Sequence, residues 1–148
     1  MNKRGFTLLE VLIVALLILI LVRIALPQYM VTLEKARSVE AIINIGNIRV
    51  ALQRYWYEND GDLTGAMLPE TGRGNLDINN PNDTKNRIYT YTISDLSGPN
   101  EECTYTITAT RTVGDETYII MWIQENKSRR KFYRSANLGG PEPPGTSQ

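Results

Sequence analysis

The side chain with the clearest chemical demand in this sequence is Glu10, the only carboxylate in the apolar run that extends from Phe6 to Leu26. Charge inside lipid is costly, roughly 2.5–3.5 kcal/mol for Asp, Lys or Arg at a helix centre on insertion scales. The carboxylate therefore calls for a cationic partner, and no residue of its own helix is placed to be one. Arg23 lies about 20 Å further along at the standard helical rise, beyond side-chain reach. An acid favoured by the macrodipole of a helix amino terminus is the alternative. Its position inside the apolar run argues against that. Arg23 has two options of its own: snorkelling to the far interface, or pairing with a carboxylate on an adjacent molecule.

Other constellations are less specific. Asn59, Asp60 and Asp62 could offer oxygen ligands to calcium, as could Asn79, Asn80, Asn82 and Asp83. Neither set has the full EF-hand spacing, and a helix-ending turn accounts equally well for the first. The run Lys127-Ser-Arg-Arg-Lys-Phe-Tyr-Arg134 places five basic residues among two aromatics. This is a pattern that can bind DNA phosphates, or simply a solvated sheet edge. The chain has no histidine and one cysteine, Cys103. Ser–His and Cys–His nucleophilic sites are thereby excluded, as is an intrachain disulfide. No enzyme motif stands out, and no cofactor other than calcium is suggested.

The elements that carry these residues follow from patterning. Twenty-one residues from Phe6 span about 31 Å as a helix, the thickness of a bilayer core. Lys3 and Arg4 precede the span, which sets the amino end in the cytoplasm and the remainder outside. Pro27 should kink the helix rather than end it. Beyond it Ala41, Ile45, Ile48, Leu52 and Tyr55 recur at alternating spacings of four and three, an amphipathic helix running to about Glu58. Asn59-Asp60-Gly61-Asp62 ends it. A long polar loop covers 59–87. Strands are expected over Ile88–Ile93, Cys103–Thr110 and Tyr118–Ile123, with a short fourth around Lys131–Tyr133. Gly114-Asp115 turns the chain between the second and third. Tyr118–Ile123, apolar on both parities, reads as the most buried strand. Residues 135–148, rich in Pro and Gly, read as a flexible tail. The fold class is α+β: one long helix, membrane-spanning in its first half, packed through its second on an antiparallel sheet of three or four strands. The domain plan is a leader 1–5, an apolar helix 6–27, a globular region 28–134 and the tail.

Gly5-Phe6-Thr7-Leu8-Leu9-Glu10, the basic residues before it and the apolar helix with Pro27 after it resemble the class III signal of type IV pilins and type II secretion pseudopilins. The resemblance implies cleavage between Gly5 and Phe6 by a prepilin peptidase and N-methylation of Phe6. It also implies pairing of Glu10 with the Phe6 amine of a neighbouring subunit, with Pro27 and Arg23 in the assembled core. The implied product is a homo-oligomeric helical filament, built on an inner-membrane platform and found in the periplasm or at the cell surface. Such fibres serve adhesion, motility, DNA uptake or secretion. The competing reading is a bitopic membrane protein whose external domain binds a ligand or partner and never polymerises.

Overall fold

The structure, a computed structural model, describes residues 6–69, 74–99 and 102–145. Its longest element is α1 (Leu8–Glu58), which passes through Pro27 without ending. Proline lacks the N–H that would bond to the Arg23 carbonyl one turn back. Close by, the Thr32 hydroxyl donates to the Gln28 carbonyl at 2.9 Å. Contacts divide the chain into two units, residues 1–35 and 36–148, described here in turn.

In the first unit the described helix is exposed all round. Leu8, Leu9, Leu19, Leu21 and Ile24 each leave more than 60% of their surface uncovered. By length and composition this helix can cross a membrane. In a soluble domain so much uncovered apolar surface would be a liability.

The second unit begins where α1 acquires a buried stripe of Ser38, Ala41, Ile45, Ile48, Ala51 and Leu52. Spacings of three and four keep these residues on one face. The face packs on a four-stranded antiparallel meander, β1 (Thr90–Ser94), β2 (Tyr105–Val113), β3 (Glu116–Gln124) and β4 (Arg130–Arg134), ordered as in sequence. The alternation in β2 sets its register: Tyr105, Ile107 and Ala109 are fully buried against the helix. Ile48, Leu52, Ile107 and Ile120 lose essentially all contact with solvent, each worth about 1.5–3 kcal/mol. Gly114-Asp115 closes the β2–β3 hairpin between paired Val113 and Glu116, with Gly114 at φ +60°. A left-handed first turn residue suits the right-handed twist of the flanking strands. At the end of α1, Asp60 and Gly61 take positive φ and the Gly61 N–H donates to the Trp56 carbonyl at 2.9 Å. The last turn has no basic residue of its own. Lys127, from the β3–β4 loop, stands over the Trp56 ring at 4.6 Å and brings a cation to that end of the helix.

Three features differ from the sequence reading. The 59–87 loop is folded onto the core through Leu63, Ala66, Leu68 and Leu76, all buried, and contains a short 3-10 turn, Pro81–Asp83. In β3 only one parity is buried. Tyr118, Ile120 and Gln124 face the helix, while Ile119, Met121 and Ile123 are half-exposed, because no second layer covers that side of a two-layer domain. Finally, the expected flexible tail is structured as far as it is described. After β4 the chain makes a 3-10 turn, Ala136–Leu138, that buries Leu138. It then folds back so that the Pro141 carbonyl accepts the Arg134 N–H at 3.0 Å. Gly140 is needed for this return, since a Cβ there would come within 2.5 Å of Arg134 Cβ.

Candidate functional site

The site singled out by the sequence lies at the start of α1. Gly5 and the basic leader fall outside the described residues. Phe6 is exposed and Thr7 immediately precedes the helix. Helix amino termini leave their first N–H groups without intrahelical acceptors. Here the Thr7 carbonyl accepts from Glu10 and Val11, and the Thr7 hydroxyl oxygen accepts from the Glu10 N–H at 3.3 Å. Glu10 therefore occupies the third helical position of a Thr-x-x-Glu cap. The helix begins at Leu8, two residues later than expected. Its macrodipole consequently favours the carboxylate more than the sequence reading allowed. Cap and apolar setting act on the same residue, since Glu10 is flanked by Leu8, Leu9, Val11 and Leu12, all uncovered. Arg23 and Pro27 lie further along the same exposed stretch.

The oxygen-rich residues have other work. The Asp62 carboxylate accepts the Thr64 N–H at 2.7 Å, and Asp60 holds the left-handed turn that ends α1. The Asn80 side chain caps the 3-10 turn by accepting from the Asn82 N–H. The Asn82 amide pairs with both backbone groups of Tyr91, donating to its carbonyl at 2.9 Å and accepting from its N–H at 2.8 Å. One side chain thus reproduces a rung of β-ladder on the free edge of β1. Asp83 is exposed in the 3-10 turn. A polar cleft of about 300 Å³ beside it is lined by Asn44, Asn47, Asn79 and Asn80, with no carboxylate. Among the described residues, no group of three or more His, Cys, Asp or Glu is gathered where it could hold a metal.

The basic run also divides its labour. Lys131 is hydrogen-bonded to Glu125, whose carboxylate lies 3.9 Å from Arg129 Nε. The Arg134 guanidinium rests 5.2 Å from the Phe132 ring centre, and Phe132, half-buried, packs against the core beside Trp122 at 6.2 Å. Strand alternation turns this aromatic toward the helix-facing side of the sheet. Cys103 is buried, which raises its thiol pKa above the ordinary range despite the nearby Lys127 charge. Burial likewise raises the Tyr91 phenol, although the Asn44 amide donates to its oxygen at 2.9 Å. The residue that sequence reasoning missed is Arg49. It lies on α1 between core positions Ile48 and Ala51, with its guanidinium carbon 5.0 Å from the Trp122 ring centre. An arginine at the border of a helical stripe looks solvated in sequence, and no local signal distinguishes it.

Residues 1–25 match the family described as the prokaryotic N-terminal methylation motif, the class III signal peptide of type IV pilins and pseudopilins. The chain carries that motif, which indicates a type IV pilin-like precursor. No curated protein and no solved structure matches the chain.

Proposed function

We propose that this chain is a structural subunit that polymerises into a type IV pilus-like or pseudopilus-like filament. Polymerisation would follow cleavage after Gly5 and N-methylation of Phe6. The observation that carries the reading is the methylation motif followed by an apolar helix with no cover and one acid. Held in the inner membrane by that helix, a subunit is solvated by lipid. Once lifted out of the bilayer its apolar surface must be covered by other copies, with a driving force of about 25 cal/mol per Å². Glu10 and the new Phe6 ammonium, each unfavourable alone in an apolar bundle, relieve one another when neighbouring helices are correctly staggered. A misaligned copy leaves both unmatched, so the pair selects the axial register.

Mass spectrometry of the mature amino terminus tests the processing, and recovery of sheared surface or periplasmic fibres tests polymerisation. A chain that retains Met1–Gly5 in the cell and is never found in fibres overturns the proposal. That outcome would instead fit the bitopic reading, in which the external unit binds a partner from the membrane.

A further inference from the structure

We propose that the carboxamide-lined cleft between α1 and the 78–84 segment is a binding site for a neutral sugar ring.

The cleft has a volume of about 300 Å³, at the small end of the range for small-molecule sites. One wall is Asn44 and Asn47 of α1, and the other is the segment 78–81 with Thr84. Asn44 and Asn47 are three residues apart and so share one face of the helix. The opposite wall is fixed from two directions. Arg54 of α1 donates to the Asp77 carbonyl and lies 2.9 Å from the Asp77 carboxylate. On the other side Asn82 is tied to the Tyr91 backbone of β1. Walls held in place before an occupant arrives lose little further freedom on binding.

The polar groups of the cleft are largely unspent. Asn47, Asn79 and Thr84 are exposed, and their side chains make no hydrogen bond with any described residue. These groups give access from solvent. Asn44 donates through its amide nitrogen to the Tyr91 hydroxyl at 2.9 Å, which leaves its carbonyl oxygen over. Asn80, 7% exposed, is the most deeply buried of the lining residues. Its oxygen accepts from the Asn82 N–H at 2.9 Å, and its enclosed nitrogen has no partner. A carboxamide offers two donors and an acceptor oxygen, and a hydroxyl offers both roles.

No charged side chain lines the cleft, so an ion finds no counter-charge there. The occupant that fits is neutral and dense in groups that donate and accept at once. Hydroxyls have that property, and a sugar ring carries several of them on a compact frame. Ile78 and Pro81 add apolar surface for the C–H groups of the ring. An extended peptide fits less well, because it gains affinity by adding to a strand edge, and β1 at Tyr91 is already taken up by Asn82. The site lies wholly within the globular unit and stands whether or not the chain polymerises.

The isotope-labelled full chain, in micelles of a detergent without a sugar head group, is titrated with the methyl glycosides of glucose, galactose and N-acetylglucosamine. Side-chain amide resonances are followed by NMR. We expect saturable shifts of the Asn44, Asn47 and Asn79 amides with at least one glycoside, at a Kd of about 1 mM. Asn47→Ala and Asn79→Ala change exposed side chains without partners in the fold. Each should weaken binding roughly threefold to tenfold while the rest of the spectrum stays as in the parent. The inference is overturned if none of the glycosides shifts these amides at ten times that concentration, or if both variants bind like the parent. It is also overturned if an acetylated tripeptide amide displaces the glycoside and binds more tightly, which would assign the cleft to peptide.

Discussion

Two physical accounts of Glu10 make opposite predictions for one substitution. As the third residue of the Thr7 cap, Glu10 helps to order the first helical turn, and glutamine serves that motif as well as glutamate. As the counter-ion of a neighbouring ammonium, it depends on its charge. Glu10→Gln keeps the cap and removes the charge. The cap here is modest, with Thr7 Oγ1 at 3.3 Å from the Glu10 nitrogen, and loss of such caps costs about 0.5–2 kcal/mol. An ammonium left unmatched in an apolar bundle costs roughly 2.5–3.5 kcal/mol, a factor of about 60–300 in the assembly equilibrium. Fibre yield in sheared fractions, measured against the membrane-held pool by immunoblot, should fall by that order for Glu10→Gln and for Glu10→Ala alike. Thr7→Ala, which keeps the charge, should lose no more than about thirtyfold. Cleavage after Gly5 must be checked in each variant, so that a processing defect is not mistaken for an assembly defect. If Glu10→Gln assembles like the parent while Glu10→Ala fails, the cap explains the residue and charge pairing is refuted.

Asn82→Ala removes both hydrogen bonds to the Tyr91 backbone. Chemical denaturation should show a loss of about 1–3 kcal/mol, and Asn82→Asp should not rescue it, because a carboxylate oxygen would face the Tyr91 carbonyl in place of the amide donor. Gly140→Ala forces a Cβ against Arg134 and should cost about 1–3 kcal/mol. Hydrogen exchange should localise that loss to the 135–141 segment and the β4 amides. Tyr91 and Tyr105 both hold their phenol protons more tightly folded than unfolded, chiefly through burial. Their contribution is complete below the ordinary tyrosine value near 10 and is lost as pH rises beyond it. Unfolding midpoints should therefore be insensitive to these groups at pH 7–9 and fall above about pH 10. Tyr105→Phe should flatten that fall without lowering stability at neutral pH, since the hydroxyl it removes has no partner.

The helix was legible to its last turn because two signals agree there: the buried stripe from Ala41 to Leu52, and the Asn59-Asp60-Gly61 stop. Alternation fixed which side of β2 faces inward, and Gly114-Asp115 placed the hairpin. Where periodicity failed, it failed for physical reasons. Apolar residues on both parities of β3 suggested burial on both faces, but a sheet with one helical layer can cover only one. The residues after Arg134 have the composition of a tail. Their order depends on one leucine reaching the core and one glycine allowing close approach, and neither makes a pattern. Leu63, Leu68 and Leu76 were a readable hint that the long loop packs down. The Asn82 rung is made by a side chain of a 3-10 turn outside any strand, and the Arg49–Trp122 contact joins residues remote in sequence, so no periodicity announces either. At the amino terminus the motif was plain in sequence, whereas the cap that shares Glu10 appeared only once the helix start was located.

Each margin of the sheet is occupied at one position, β1 at Tyr91 by a single carboxamide and β4 at the Arg134 N–H by the returning carbonyl of Pro141. An open margin is a template on which another chain can add by backbone hydrogen bonding. At those two positions, copies held shoulder to shoulder, whether waiting in a crowded bilayer or stacked in a fibre, would find no free backbone group on which to extend the ladder. Side-chain contacts can be made and released one molecule at a time, whereas fused ladders would lock a growing polymer beyond recovery.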